Sequence, residues 1–229
     1  MDPRGWKLSS RRFRFDGLAP RVSTTLPAAV RSPSSRAIVA PVKASSTRHA
    51  ELGLLALIRS DYRAARLRPI QLFTGVLTLS PFWLVVLHRI SHAIHRAGVP
   101  VVPAMVRAIG VVLYGADLSP AARVGPRFRI SHGVGIVVGS DVVIGADATL
   151  YQNVTLGGRQ RAIGDWWTPR LGDDVEIGAG AVVLGPITVG DNVLIGANAV
   201  VIESVPSNSV VVGNPARVVK PRRPRPSEE

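Results

Sequence analysis

Residues 138 to 206 read VGSDVV IGADAT LYQNVT LGGRQRAIGDWWTPR LGDDVE IGAGAV VLGPIT VGDNVL IGANAV VIESVP, and apart from one long insertion the stretch repeats every six residues. An aliphatic residue opens each repeat: Val138, Ile144, Leu150, Leu156, Leu171, Ile177, Val183, Val189, Ile195 and Val201. The fifth position is small or apolar throughout, at Val142, Ala148, Val154, Val175, Ala181, Ile187, Val193, Ala199 and Val205. A helix turns every 3.6 residues, so a six-residue period cannot mark one helical face. Two inward-pointing residues per six instead describe short strands that form the sides of a coil, each coil stacked on the next at strand spacing. The interval from Leu156 to Leu171 is not a multiple of six, so residues 157 to 170 leave the coil as an extruded loop.

Upstream, Leu118, Val124, Ile130 and Ile136 keep the same period, offset by two from the later repeats. A two-residue insertion at the 136 to 138 corner accounts for the offset. The β-helix domain therefore runs over 116 to 219.

Residues 48 to 115 have a helical pattern and form a separate small domain. Ser80, Pro81 and Gly98 stand where an N-cap, an N1 proline and a C′ glycine belong, which predicts a helix over about 82 to 97. Trp83, Val86, Leu87, Ile90, Ala93, Ile94 and Ala97 are its expected apolar stripe. Leu54, Leu57, Ile58 and Ala65 predict an earlier helix, and residues 104 to 114 a later one. His88, His92 and His95 lie on one side of the 82 to 97 helix and are read as a polar face; no carboxylate nearby completes a metal site.

Residues 70 to 87 carry no charge, long enough to raise a membrane span, but Gln71, Gly75, Ser80 and Pro81 interrupt the run. A buried or interfacial helix pair is the expectation, with peripheral membrane contact as the alternative.

The net charge of +13 invites a nucleic-acid reading until its distribution is examined. Residues 1 to 50 hold 10 Lys and Arg against 2 acids, and residues 217 to 229 hold 5 against 2. The remaining 51 to 216 carry only +2, so the basicity belongs to the ends and no nucleic-acid footprint lies on the folded part. Residues 1 to 47 lack recurring large apolar residues and read as a disordered basic arm; residues 220 to 229 read as a flexible basic tail. The arm's Arg- and Ser-rich, acid-poor composition also fits an organelle transit peptide, whereas nothing resembles a secretory signal; a cytoplasmic protein is otherwise expected. With no cysteine there is no disulfide, thiol nucleophile or thiolate metal site.

Only one histidine, His132, lies in the repeats, and Asp117 precedes it by 15 residues, nearly one coil. An Asp accepting from one ring nitrogen fixes the tautomer and leaves the other as a base near neutral pH. The plainer alternative is a solvated histidine at a corner.

The repeats resemble the hexapeptide acyltransferases, a resemblance that implies a left-handed parallel β-helix, preceded here by the helical domain, and a homotrimer with active sites at the subunit boundaries. The handedness departs from the right-handed crossover rule and comes from the resemblance alone. A γ-class carbonic anhydrase, built on the same helix, needs three zinc-binding histidines and is excluded by ligand count. The segments DLSPAARVG, ISHGVGIVVG, QNVTLGG, IGAGAVVLGPITVGDNVLIGANAVV and VVGNPARVV are similar to serine O-acetyltransferases over residues 117 to 219. That resemblance makes His132 the general base, Asp117 its orienting partner and acetyl-CoA the donor co-substrate, with no metal and no permanently bound cofactor. It places Gly158, Ala179 and Ala197 along the CoA arm.

Two departures concern the acceptor. Ser131 stands where the family has an Asp before the histidine, and Trp166, Trp167 and Thr168 stand where the extruded loop of the family has an Arg-His pair. Ser131, Trp166, Trp167 and Arg170 are the candidate acceptor-binding residues; Arg170 could clamp a carboxylate and the Trp pair could stack on a sugar. The expected acceptor is L-serine, with a sugar hydroxyl of the related exopolysaccharide branch as the alternative. A non-catalytic scaffold is the third reading, for which an Asp and a His at this spacing have no use.

Overall fold

The repeat becomes a three-sided coil through its fourth position, which is Asp, Asn or Gly in every complete repeat of 138 to 206 except those with Pro186 and Ser204. Asp141, Asp147, Asn153, Asp174, Asn192 and Asn198 all adopt left-handed φ between 52° and 62°, a region that short polar side chains tolerate better than others. Each such residue turns the chain through a corner, and a two- or three-residue strand follows.

The computed structural model describes residues 52 to 158 and 166 to 223. The expected disordered arm, the centre of the extruded loop and the last residues of the tail lie outside them. The first coil comprises β1 (Asp117–Leu118), β2 (Arg123–Val124) and β3 (Arg129–Ile130). The second comprises β4 (Val137–Val138), β5 (Val143–Ile144) and β6 (Thr149–Leu150), and the third β7 (Thr155–Gly157), β8 (Arg170–Leu171) and β9 (Glu176–Ile177). A fourth, β10 (Val182–Leu184), β11 (Thr188–Val189) and β12 (Val193–Ile195), is followed by β13 (Val200–Val201), β14 (Ser209–Gly213) and β15 (Ala216–Pro221).

Strands stack into three parallel sheets, ordered β1-β4-β7-β10-β13, β2-β5-β8-β11 and β3-β6-β9-β12-β14, the last closed by antiparallel β15. Their register measures the insertions directly. Val182 pairs with Val200, an 18-residue coil, whereas Asp117 pairs with Val137, 20 residues on, and Thr155 with Val182, 27 residues on. The two extra residues fall between Ile130 and Ile136, not at the 136 to 138 corner expected: Val137 pairs with Thr155, so Ile136 is the counterpart of Val154 and takes the fifth position of its repeat; the larger excess is the loop between β7 and β8. The residues predicted to point inward form one continuous core: Ile144, Leu150, Leu156, Ile177, Val183 and Ile195 are essentially inaccessible.

The helical segment is α1 (Leu54–Ala65), α2 (Pro69–Leu77), α3 (Pro81–Arg96) and α4 (Val102–Tyr114). Pro81 takes N1 of α3 and Gly98 follows it with φ +75°, while Ser80 makes no side-chain cap. The uncharged 70 to 87 run is split between α2 and α3, which bend by 76°, and among the described residues no single helix is long and apolar enough to cross a membrane.

The expected faces of α3 need correction. Its buried residues are Phe82, Leu84, Val85, Val86, His88, Arg89 and Ser91, because the helix lies between α1, α4 and the first coil rather than on a solvated surface. His88 is only 4% exposed, neither ring nitrogen has a hydrogen-bond partner, and burial lowers its pKa to about 3. His92 donates from Nδ1 to the Pro120 carbonyl at 2.8 Å, and His95 alone of the three faces solvent.

Arg89 and Asp61, 3% and 1% exposed, form the joint between helices and coils. The Arg89 Nε donates to Asp61 Oδ2 at 2.9 Å, and its other nitrogens donate to the Val124 and Gly125 carbonyls. Asp61 Oδ1 accepts the Phe128 amide at 2.9 Å. The pair thus saturates backbone groups of the first coil that no preceding coil can reach. The tail is also more ordered than expected: β15 continues to Pro221, and Arg222 donates to the Asp174 and Val193 carbonyls and to Glu176.

Candidate active site

The widened corner between β3 and β4 carries His132, whose side chain is exposed. Both flanks of this corner are held. The Gly135 amide donates to the Gly115 carbonyl at the end of α4 at 3.0 Å, and the Val134 carbonyl accepts the Asn153 amide at 2.9 Å. Gly135 has φ +72°, and a Cβ there would lie 2.0 Å from Asn153 Oδ1, so a larger residue would be strained in the backbone and would displace the Asn153 side chain of the corner above. Gly133 is buried against Leu84 and Tyr114. Helices α3 and α4 therefore buttress the turn that presents the imidazole.

Asp117 sits in β1 opposite Val137, five residues past His132. Its carboxylate is engaged on both oxygens by Arg107 of α4, and no hydrogen bond joins it to His132. Arg107 was missed in the sequence, although it is the one charge between Arg96 and Asp117 and was for that reason conspicuous. A bidentate guanidinium still leaves lone-pair directions open on a carboxylate.

The small residues expected along the donor fall into two groups. Ala179 and Ala197 occupy the third and fourth corners of the column that His132 begins, tied to it through Gly180 N to Gln152 O at 2.9 Å and Asn198 N to Ala179 O at 2.8 Å. Gly158 follows the C-terminal end of β7, whereas Ala179 precedes the N-terminal end of its neighbour β10, so the two stand at opposite ends of the strands of one sheet. Its missing Cβ is covered by the Trp167 ring, which would come within 2.0 Å of it. The acceptor candidates divide in the same way. Ser131 shares the His132 corner, whereas Trp166, Trp167 and Arg170 cluster across the sheet, with the Arg170 guanidinium 4.8 Å from the Trp166 ring centre. Arg170 thus has an aromatic partner in this chain, and Thr168 ties the returning loop to the Asp141 carbonyl at 3.0 Å.

A cleft of about 340 Å³ opens beside Ser131, between the outer face of β3 and β6 and the junction of α1 with α3. Among the described residues no group of three or more His, Cys, Asp or Glu is placed to hold a metal ion.

Residues 168 to 203 match the family described as Bacterial transferase hexapeptide (six repeats). The chain is similar to the serine acetyltransferase of Synechococcus elongatus, 41% identical over 60% of this chain, but it spans only 56% of that relative. The solved structure of Neisseria gonorrhoeae serine acetyltransferase in complex with serine is 31% identical, with a TM-score of 0.66 over 73% of this chain and 69% of that one. The serine acetyltransferase of Mycobacterium tuberculosis is 39% identical over 76% of both chains. Likeness on that scale covers more than the coils alone, and the chain belongs to the serine acetyltransferase family of hexapeptide-repeat proteins.

Proposed function

We propose that the protein is an acetyl-CoA-dependent serine O-acetyltransferase that works through a direct ternary complex. The observation that carries this reading is the braced, exposed imidazole at a corner whose column continues through Ala179 and Ala197. His132 takes the proton from the serine hydroxyl as its oxygen attacks the thioester carbonyl, and the C–S bond breaks when the tetrahedral adduct collapses. The proton then passes from the imidazolium to the leaving CoA sulfur. Backbone N–H groups near Gly158 receive the developing oxyanion. Asp117, steadied by Arg107, accepts from the other imidazole nitrogen through its free lone pairs and stabilises the imidazolium.

Because Gly158 and the Ala179 column lie at opposite ends of the strands of one sheet, a donor touching both bridges two copies of the chain, and a homotrimer supplies that boundary. Support for serine as acceptor comes from the serine-bound Neisseria gonorrhoeae relative. A sugar hydroxyl is the second reading, favoured by the exposed Trp167 ring lying on Gly158.

Thiol release from acetyl-CoA, measured with L-serine and then with oligosaccharides, tests the proposal. The His132→Ala variant should lose about 10² to 10⁴ in turnover while still binding acetyl-CoA by calorimetry. Unchanged turnover removes His132 from the mechanism.

A further inference from the structure

We propose that the helical segment docks on an anionic lipid surface and lies in its plane, with the outward side of α4 as the face that enters the acyl boundary.

Only one side of α4 is packed. Pro103, Gly110 and Tyr114 are its buried residues, and the Gly110 backbone lies against Leu84 of α3. At about 100° per residue, Met105, Ala108 and Val112 face directly away from that stripe. Met105 is 62% exposed and Val112 80%, and Val101, which leads into the helix, is 70% exposed. Arg107 is the one charged side chain of α4, and Asp117 engages it. A helix on a protein surface ordinarily turns polar residues outward, whereas the rest of the exposed side of α4 is apolar throughout. Helix α2 has the same character: it carries no charge, and Ile70, Phe73 and Val76 are exposed. Apolar exposure on this scale marks a surface that something covers.

The charges of the segment say what that is. Residues 52 to 116 contain seven Arg, no Lys and a single acid, Asp61. Asp61 is buried with Arg89, so no carboxylate of this segment reaches solvent. Arg59, Arg63, Arg68 and Arg96 are exposed; Arg63 and Arg68 precede α2, and Arg96 precedes α4. A bilayer with acidic headgroups provides a counter-charge for the guanidinium groups and an apolar layer for the stripe below them. The long arginine stems let the cations stay at the headgroups while the helix sinks. A second copy apposed through the same face brings the same cations and no acid, and α4 offers it no hydrogen-bonding group for a polar rim. With 13 residues α4 is about 20 Å long, short of the roughly 30 Å hydrocarbon core, so it lies on the bilayer and does not span it.

The test is flotation of the full-length protein with vesicles of phosphatidylcholine alone and of phosphatidylcholine with about 30% phosphatidylglycerol. Partitioning into the anionic vesicles should be about tenfold or more stronger than into the neutral ones, and should weaken as salt is raised. The double variant Met105→Glu and Val112→Glu should bind the anionic vesicles at least about tenfold more weakly, with an unchanged thermal midpoint because both side chains are exposed. Residues 1 to 50, with their 10 Lys and Arg, are identical in the two proteins, so the difference belongs to α4. The chain has no cysteine, so Val112→Cys takes a single environment-sensitive fluorophore. Lipids brominated in their acyl chains should quench that fluorophore and spare one placed by Glu203→Cys on the last coil. Absence of flotation with anionic vesicles, equal flotation of the double variant, or an unquenched label at position 112 overturns the proposal. If the unmodified protein ignores vesicles and the double variant is a smaller particle by light scattering, a second copy covers α4 and the lipid assignment falls.

Discussion

The coils and the helices of this chain are held together by different physics. Inside the solenoid the layers resemble one another: aliphatic side chains stack on aliphatic side chains, and the strand backbones pair from one coil to the next. Where the helices meet the first coil there is no preceding coil to supply those partners. There a buried guanidinium and carboxylate, Arg89 and Asp61, take over the work of a neighbouring strand by bonding the Val124 and Gly125 carbonyls and the Phe128 amide. A repeat can tolerate variation in any one layer, whereas a single ionic joint cannot lose a partner, and this difference orders the expected effects of substitution.

The largest is at the joint. Asp61→Ala leaves Arg89 buried without its counter-ion and should cost about 3 to 5 kcal/mol in urea denaturation. Burial alone raises the Asp61 pKa, and Arg89 opposes that rise, so replacing both with leucine and methionine should cost less than either single change; an additive double variant would refute the ionic account. Next comes a layer of the solenoid: Ile177→Ala should cost about 2 to 4 kcal/mol, because the three walls of the coil surround the cavity and close over it only partly. A loss below 1 kcal/mol would mean that the coils relax along the axis.

The third effect depends on pH. The folded-state pKa of His88, about 3, lies below the ordinary 6.5. Between those values the unfolded chain binds a proton that the folded chain refuses, so this residue destabilises the protein progressively as pH falls below 6.5. The penalty should reach about 2 kcal/mol at pH 5. His88→Leu should reduce the stability difference between pH 7 and pH 5 by that amount; an unchanged difference would place a proton on the native ring. The smallest concerns a corner. Asn198 holds φ +56° and covers Gly180 with its amide, so Asn198→Ala should cost about 1 kcal/mol and Asn198→Gly less, read from thermal midpoints.

The site divides along the same boundary. His132 was legible because it is the lone imidazole of the repeats; the two extra residues were legible in number from the disturbed period, but only the strand register put them at the His132 corner. Asp117 was legible as a candidate by its spacing, but its partner in the chain is Arg107, which lies on a helix whose angle to the coil no periodicity encodes. The stripe read on α3 was displaced for a related reason. A helix enclosed by α1, α4 and the first coil buries residues around most of its girth, so a 3.6-residue pattern of apolar residues no longer says which side is inside. The left-handed corners are a signal the sequence also carries, as Asp and Asn at the fourth position of most repeats, but it was the backbone that showed their role.

What the chain of letters determined by itself is therefore whatever is local and repeated: the period, the inward residues, and the existence of two insertions, of which only the longer was placed correctly. A short strand can satisfy its neighbour wherever that neighbour's sequence is a copy of its own. Only the tertiary structure decided which side of α3 is buried, that Arg89 and Asp61 substitute for an absent coil, that Arg107 claims Asp117, and that Arg129 and Ser131 share a cleft with α1 and α3. Those contacts join unlike elements whose relative pose comes from three-dimensional packing, and nothing in their spacing along the chain encodes it.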